Sequence, residues 1–88
     1  MLVLSTSSFN RDISKLKDGR ISLQLQSIIQ KMHEVDNISE LGGVKKLAGS
    51  NNAYRIRIAD YRLGFRVNNN QIELVIFANR KDIYKYFP

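Results

Sequence analysis

Apolar and charged residues alternate along residues 54–80, and this stretch is the most informative part of the chain. Tyr54, Ile56 and Ile58 are each separated from the next by an arginine. Two further runs with the same alternation follow within the stretch. Because successive side chains of a β-strand point to opposite faces, the pattern predicts three strands, each with an apolar face and a polar face.

Two short polar segments separate these three runs. Ala59-Asp60 and Asn69-Asn70 are each compatible with a two-residue hairpin turn. Pairing through the turns predicts a three-stranded antiparallel meander in which Arg57 lies opposite Arg62. A three-residue second turn would mix apolar and polar residues on each face, which a sheet buried on one side resists.

The predicted register divides the meander into two faces, with Arg66 opposite Glu73 and Leu63 opposite Ile76. The predicted core face consists of Tyr54, Ile56, Ile58, Leu63, Phe65, Val67, Ile72, Leu74 and Ile76. The predicted outer face consists of Arg55, Arg57, Arg62, Gly64, Arg66, Glu73, Val75 and Phe77.

Helical spacing replaces the alternation in the first half of the chain. Phe9, Ile13 and Leu16 follow one another at i, i+4 and i+7, which predicts a first helix of about three turns with its cap within residues 5–8. After Asp18-Gly19, an apolar stripe predicts a second helix. The stripe consists of Ile21, Leu25, Ile28, Ile29, Met32 and Val35. The two helices are expected to form a hairpin that covers the core face of the sheet.

Four shorter segments complete the prediction: an edge strand at residues 2–4, a helical turn within residues 37–43, a connecting loop over residues 44–52, and a helical turn or irregular tail after Arg80. Ile83 and Phe87 are the apolar anchors expected in the tail. The predicted fold is therefore α+β, with an N-terminal helical hairpin packed on an antiparallel sheet made of the short N-terminal strand and the meander. With 88 residues, the chain is expected to form one domain, 1–88.

Composition narrows the class of protein. The chain has no cysteine, so a disulfide framework and a thiolate metal site are excluded, and a reducing cytoplasm is the expected compartment. No apolar run has membrane-spanning length, and the first residues lack the pattern of a signal peptide. The net charge is +6. Residues 52–88 carry seven basic and three acidic residues, so the excess charge lies mainly in the meander and favours a polyanionic or acidic partner.

The basic residues of the outer face suggest a missing anion. Like charges directly opposite each other destabilise a strand pair, and Arg57 faces Arg62 in the predicted register. Phosphate is the natural ligand because planar guanidinium groups bind its oxygens in pairs, and Gly64 leaves room beside them. The alternative is an ordinary solvated face, in which Glu73 neutralises Arg66.

Three sequence segments together resemble a known superfamily. They are KKLAG, YRIRIADYRLGFRV and IFANRKDIY, and they follow a short strand and a helical hairpin. This arrangement resembles the RelE/ParE toxins of bacterial type II toxin–antitoxin systems, and its specific part runs from Lys46 to Tyr84. For the RelE branch, the resemblance implies a ribosome-dependent endoribonuclease that cuts messenger RNA in the A site without a metal or cofactor.

The resemblance also implies a set of site residues. Arg57 and Arg62 would hold the scissile phosphate, Arg80 would stabilise the transition state or the leaving oxygen, and either Tyr84 or Tyr86 would act on the nucleophile or stack on a base. The further residues expected to contact RNA are Arg55, Lys45, Lys46, Phe77, Lys81 and Lys85. The two loop lysines also have a simpler interpretation as solvated side chains, and Phe77 has one as a residue packed under the C-terminal tail.

Two departures from the family pattern affect the expected chemistry. Several relatives have lysine where this chain has Arg55 and Arg57, and many have histidine where it has Asn79. Arginine does not lose its proton at neutral pH and asparagine does not titrate. Acid–base work is therefore expected to fall to Tyr84 or Tyr86.

Two alternatives to the ribonuclease remain open in the sequence. In the ParE-type alternative the same fold inhibits DNA gyrase by protein contact, and in the other a basic module binds RNA or the ribosome without cutting. Either toxin function implies a small, acidic antitoxin that masks the basic face and wraps the helices in a heteromeric complex. A membrane partner is not expected.

Overall fold

A computed structural model describes all residues, 1–88, and shows five strands in one mixed sheet. The elements in chain order are β1 (Leu2–Ser5), α1 (Ser7–Ser14), α2 (Gly19–Glu34), a 3₁₀ turn (Ile38–Glu40), β2 (Val44–Lys46), β3 (Ala53–Ile58), β4 (Tyr61–Asn68), β5 (Gln71–Asn79) and α3 (Ile83–Tyr86). The strand order is β1-β5-β4-β3-β2. Every neighbouring pair is antiparallel except β1 and β5, which are parallel. The predicted α+β class is confirmed, although the sheet is mixed and not wholly antiparallel.

The helical hairpin covers one face of the sheet, as the apolar spacing predicts. The side chain of Thr6 accepts a hydrogen bond from the Phe9 N–H and caps α1, and the Asp18 carboxylate does the same for the first turn of α2. The first helix ends at Ser14, which makes it shorter than expected. The residues of the main core are Phe9, Leu25, Met32, Leu41, Ile56, Ile58, Leu63, Phe65, Ile72, Leu74 and Phe77.

Both hairpin turns have the predicted two residues. Arg57 lies opposite Arg62, and Val67 lies opposite Ile72. Ala59 adopts a φ of 52° and Asn69 a φ of 53°, a left-handed conformation that asparagine tolerates better than alanine. None of the helices is long and apolar enough to cross a bilayer.

A β-bulge in β5 changes the predicted register beyond Leu74. Phe65 pairs with Leu74, but Gly64 pairs with Ile76, so Val75 is an additional residue in the strand. One extra residue moves all following side chains to the opposite face. The expected pair of Leu63 with Ile76 is therefore wrong, because Leu63 lies opposite the next residue of β5.

Side chains near the start of α1 bind the free edge of β5 at the bulge. The Ser8 hydroxyl donates to the Val75 carbonyl at 2.6 Å, and the Thr6 hydroxyl donates to the same carbonyl at 3.3 Å. Asp12 accepts a hydrogen bond from the Phe77 N–H at 2.9 Å. These contacts join residues more than 60 positions apart in sequence, so local alternation carries no sign of them.

The segment predicted as a connecting loop contains a fifth strand. Val44–Lys46 forms β2, where Lys45 lies opposite Arg55 and Lys46 opposite Tyr54. A strand of three residues is too short to show an alternation of its own. The loop prediction is therefore wrong for these residues, which form the sheet edge beside β3.

A second, smaller core lies on the sheet face away from the hairpin. It consists of Leu47, Ala53, Ile76, Ile83 and Phe87. Ile83 and Phe87 are buried, which confirms the two anchors predicted for the tail. A Cβ on Gly64 would meet the Phe87 ring at 2.8 Å and Ile76 at 2.5 Å. The space beside Gly64 is therefore filled by the C-terminal segment, and this contact holds α3 on the sheet.

Candidate nucleic-acid interface

Four arginines form a cluster on the sheet face that the hairpin leaves uncovered. Arg55 and Arg57 project from β3, Arg62 projects from β4, and Arg80 directly follows β5. Lys45 lies beside Arg55 on the same face. We refer to the four arginines as the arginine cluster. The face predicted from strand alternation thus coincides with the observed basic face at these positions.

Arg62 lies at the centre of the arginine cluster. Its Nη1 donates to the carbonyl oxygens of Ala59 at 3.1 Å and Tyr61 at 2.9 Å, which orients the guanidinium. Burial lowers the pKa of Arg62 below its ordinary value, and the like charges of Arg55 and Arg57 lower it further. Arginine remains charged at neutral pH all the same. The cluster therefore holds positive charge that a bound anion would stabilise.

No acidic side chain forms an ion pair with the arginine cluster. The only ion pair in the molecule joins Lys85 and Asp82 at 3.3 Å. Arg66 donates instead to the Asn52 side chain at 2.9 Å, and its guanidinium lies 5.2 Å from the centre of the Phe87 ring. The expected neutralisation of Arg66 by Glu73 is therefore wrong, and Arg66 supports the C-terminal segment.

The short helix α3 places its two tyrosines in different surroundings. The hydroxyl of Tyr84 accepts a hydrogen bond from Arg55 Nε at 3.0 Å, so this tyrosine lies on the arginine cluster. Tyr86 lines a groove beside α1 instead. Ile83 and Phe87 are buried, so the backbone that carries both tyrosines is fixed to the sheet. Tyr84 is therefore the tyrosine that lies beside the arginines, and which of the two acts in the function stays a prediction.

The remaining residues expected to contact RNA are divided between the two faces. Lys45 and Lys81 are exposed near the arginine cluster. Lys46 has the parity of Tyr54 and lies on the face of the hairpin, away from the cluster. Lys85 forms the ion pair with Asp82.

Phe77 does not lie on the basic face, so the expectations that it stacks on RNA or packs under the C-terminal tail are both wrong. The bulge turns it into the main core, where only 5% of its surface is exposed. Its ring stacks on Tyr61 with centres 5.0 Å apart. Phe77 is therefore a packing residue.

The site has no evident place for a metal ion. No group of three or more His, Asp or Glu side chains is arranged to hold one. The charged and polar groups that this face presents include the guanidinium groups and the Tyr84 hydroxyl.

Fold and site together define a small basic α+β protein with an arginine-rich sheet face and a tyrosine held over it by a C-terminal turn. The chain belongs to the RelE toxin family. It is 35% identical to toxin RelE3 of Methanocaldococcus jannaschii over the full length of both proteins. No family model matches the sequence.

Solved structures agree with this assignment. The toxin of the RelB–RelE complex from Methanococcus jannaschii has a TM-score of 0.83 and 32% identity, covering 97% of this chain and 99% of its own. The archaeal RelE–RelB complex from Pyrococcus horikoshii has a TM-score of 0.64 over 93% of this chain and 97% of its own, and at 22% identity it supports the fold alone. These relatives are archaeal, so the expected restriction to bacterial systems is corrected.

Proposed function

We propose that this toxin of the RelB–RelE type cuts messenger RNA on the ribosome, and that the arginine cluster binds the scissile phosphate. One observation carries the proposal: four arginines without an acidic partner share a face with Tyr84, whose hydroxyl lies 3.0 Å from Arg55 Nε. Charge of one sign without internal neutralisation fits a polyanionic substrate.

The proposed reaction is attack of an RNA 2′-hydroxyl on the adjacent phosphorus. The bond to the 5′-oxygen breaks, which leaves a 2′,3′-cyclic phosphate and a 5′-hydroxyl. Negative charge grows on the phosphoryl oxygens, and each preorganised donor at such a position is worth roughly 3 to 4 kcal/mol. Fixed guanidinium groups supply donors of this kind.

Each residue of the site has a separate role in this reaction. Arg62 uses Nη1 for two carbonyl oxygens, so its Nε–H and Nη2–H remain for paired hydrogen bonds to phosphate. Arg57, directly opposite, binds a second oxygen. Arg80 stabilises the leaving 5′-oxygen, which takes its proton from water. The Tyr84 hydroxyl accepts the proton of the 2′-hydroxyl while it passes its own proton to water.

An acidic antitoxin is the partner proposed for the same face. The related toxin from Methanococcus jannaschii was solved in a complex with RelB. In this chain the net charge is +6, and the arginine cluster has two exposed and two half-buried members, none of them in an ion pair. An antitoxin with acidic side chains would neutralise the cluster and exclude RNA from it.

Primer extension on a defined message in a purified translation system tests the activity. We expect cuts inside codons that require ribosomes and that fall by roughly a hundredfold or more for Arg80→Ala, because that donor acts only as charge develops. Arg20→Ala is the matched control, since Arg20 is an exposed arginine in the first turn of α2. An intact message with undiminished translation would contradict the proposal. A loss of gyrase supercoiling in its place would support the ParE-type alternative.

A further inference from the structure

A groove of about 580 Å³ lies between α1 and the end of β5, outside the arginine cluster. Its walls include Arg11 from α1, Lys15 directly after α1, Asn79 from β5, and Tyr86 from α3. The volume lies within the range of sites that hold small ligands. Arg11 and Lys15 are not singled out by the sequence pattern, because they meet Asn79 and Tyr86 only where α1 crosses the edge of the sheet.

The groove carries charges of both signs, and its two basic residues form no ion pair. The groove contains two carboxylates, but Asp12 accepts the Phe77 N–H at 2.9 Å and Asp82 is paired with Lys85 at 3.3 Å. Arg11 and Lys15 are exposed and form no ion pair. A ligand in the groove therefore meets two cations without an ion pair, one carboxylate bonded to a backbone N–H and one carboxylate paired with a lysine.

An aromatic ring is held at the mouth of the same groove. Tyr86 is 74% exposed, although both ends of its short helix are anchored by buried residues. A fixed ring with an open face is a platform on which any nucleobase can stack. Cations and an exposed aromatic side chain together match a single-stranded nucleotide better than they match an apolar peptide.

The groove begins where the arginine cluster ends. Asn79 and Asp82 line it, and Arg80 lies between them in the chain. Tyr61, which directly precedes Arg62, lies opposite Asn79 and also lines it. A strand of RNA whose scissile phosphate is bound by the cluster would therefore reach the groove with its neighbouring nucleotide.

We infer that this groove is a subsite for the nucleotide next to the scissile phosphate, with the base stacked on Tyr86 and a phosphate bound by Arg11 and Lys15. The inference rests on the proposed ribonuclease function and adds a second contact to it. Tyr86 is then a binding residue and Tyr84 a catalytic one, on either side of the same helix.

A base-deletion experiment tests the subsite directly. A set of messages is prepared, each with a single abasic nucleotide at one of the positions that flank the cut, two on each side. Their cleavage on ribosomes is measured for the wild type and for Tyr86→Ala. For the wild type, the loss of one particular base should slow cleavage at subsaturating toxin by about fivefold or more, as expected for a lost stacking contact. For Tyr86→Ala the same deletion should cause no further loss.

Three controls separate the possible outcomes. Tyr86→Phe keeps the ring and should retain the abasic penalty, and thermal unfolding shows whether each variant is folded. The double variant Arg11→Ser/Lys15→Ser should weaken cleavage and reduce its dependence on salt.

Each contrary result has its own meaning. An abasic penalty that is the same for the wild type and Tyr86→Ala at every position would overturn the subsite while leaving the nuclease in place. If the groove variants cleave normally and lose only affinity for an acidic antitoxin, the groove is a protein-binding surface and the nucleotide subsite is overturned. A wild-type protein that leaves every message intact would refute the proposed function itself.

Discussion

At the scale of single residues, the structure places like charges together without internal compensation. The lowered pKa of Arg62 means that this arrangement reduces the stability of the fold. A lowered pKa shows that the charged form of the side chain is less stable in the folded protein than in the unfolded chain. This cost is present at every pH below the folded pKa and would disappear only as the pH rises through it. Since arginine stays charged at neutral pH, the cost remains at all ordinary pH values.

Bound anion should recover part of this stability. We expect pyrophosphate to raise the melting temperature of the wild type, because a ligand that binds only the folded state stabilises it by about 1.4 kcal/mol at ten times its Kd. Arg57→Gln should reduce the shift, since it removes one guanidinium opposite Arg62. Arg20→Gln is the control, and an equal shift in all three proteins would show that the anion binds elsewhere. Differential scanning fluorimetry over a pyrophosphate titration gives the shifts.

At the scale of elements, local alternation predicts the meander because its three strands are joined by two-residue turns that fix the register. It fails beyond Leu74 because the bulged segment bonds to Ser8 and Asp12, which reach the strand from α1 and leave no trace in the local alternation. It also fails at β2, which is too short to show a period. Prediction of the site was limited in the same way. Strand parity predicted three of the four arginines, but only the packed C-terminal turn shows that Tyr84 and Tyr86 lie in different surroundings.

The contact between Gly64 and the C-terminal turn provides a stability prediction. Gly64→Ala should destabilise the protein by about 1 to 3 kcal/mol, because the new methyl group overpacks the space held by Phe87 and Ile76. Gly42→Ala is the matched control, since a Cβ there meets nothing within 4 Å. Urea unfolding of both variants measures the difference. Equal stabilities would mean that the C-terminal turn does not pack on Gly64.

The hydrogen bond between α1 and the bulged strand provides a second stability prediction. Asp12→Ala should cost about 1 to 3 kcal/mol, because it leaves the part-buried Phe77 N–H without an acceptor. Asp36→Ala removes an exposed carboxylate of the same kind and should change the stability by less than about 0.5 kcal/mol. Urea unfolding measures the free energy of unfolding of both variants. If the stability of Asp12→Ala equals that of the wild type, the Asp12 carboxylate does not hold the edge of β5.

At the scale of the whole molecule, the two sheet faces are covered to different extents. One is covered by the helical hairpin and contains the main core, and the other is covered only in part, by the C-terminal turn and its small core. The uncovered part carries the arginine cluster within a protein of net charge +6. Stability and partner binding should therefore both respond to salt.

Moderate salt is expected to stabilise the isolated protein. Raising sodium chloride from low to physiological concentration shortens the Debye length to about 8 Å and screens the repulsion among the arginines. The melting temperature should therefore rise over this range, and rise less for Arg62→Gln. A melting temperature that falls with salt would show that attractive charge pairs dominate the fold.

Single-turnover cleavage of ribosome-bound message by a pair of tyrosine variants tests the central claim most directly. Tyr84→Phe removes the one hydroxyl held on the arginine cluster and should slow cleavage by roughly a hundredfold or more, as expected for lost proton transfer. Tyr86→Phe removes the same atom two residues away and should cleave like the wild type. Equal rates for the two variants, or a loss confined to Tyr86→Phe, would contradict the assignment of the active face.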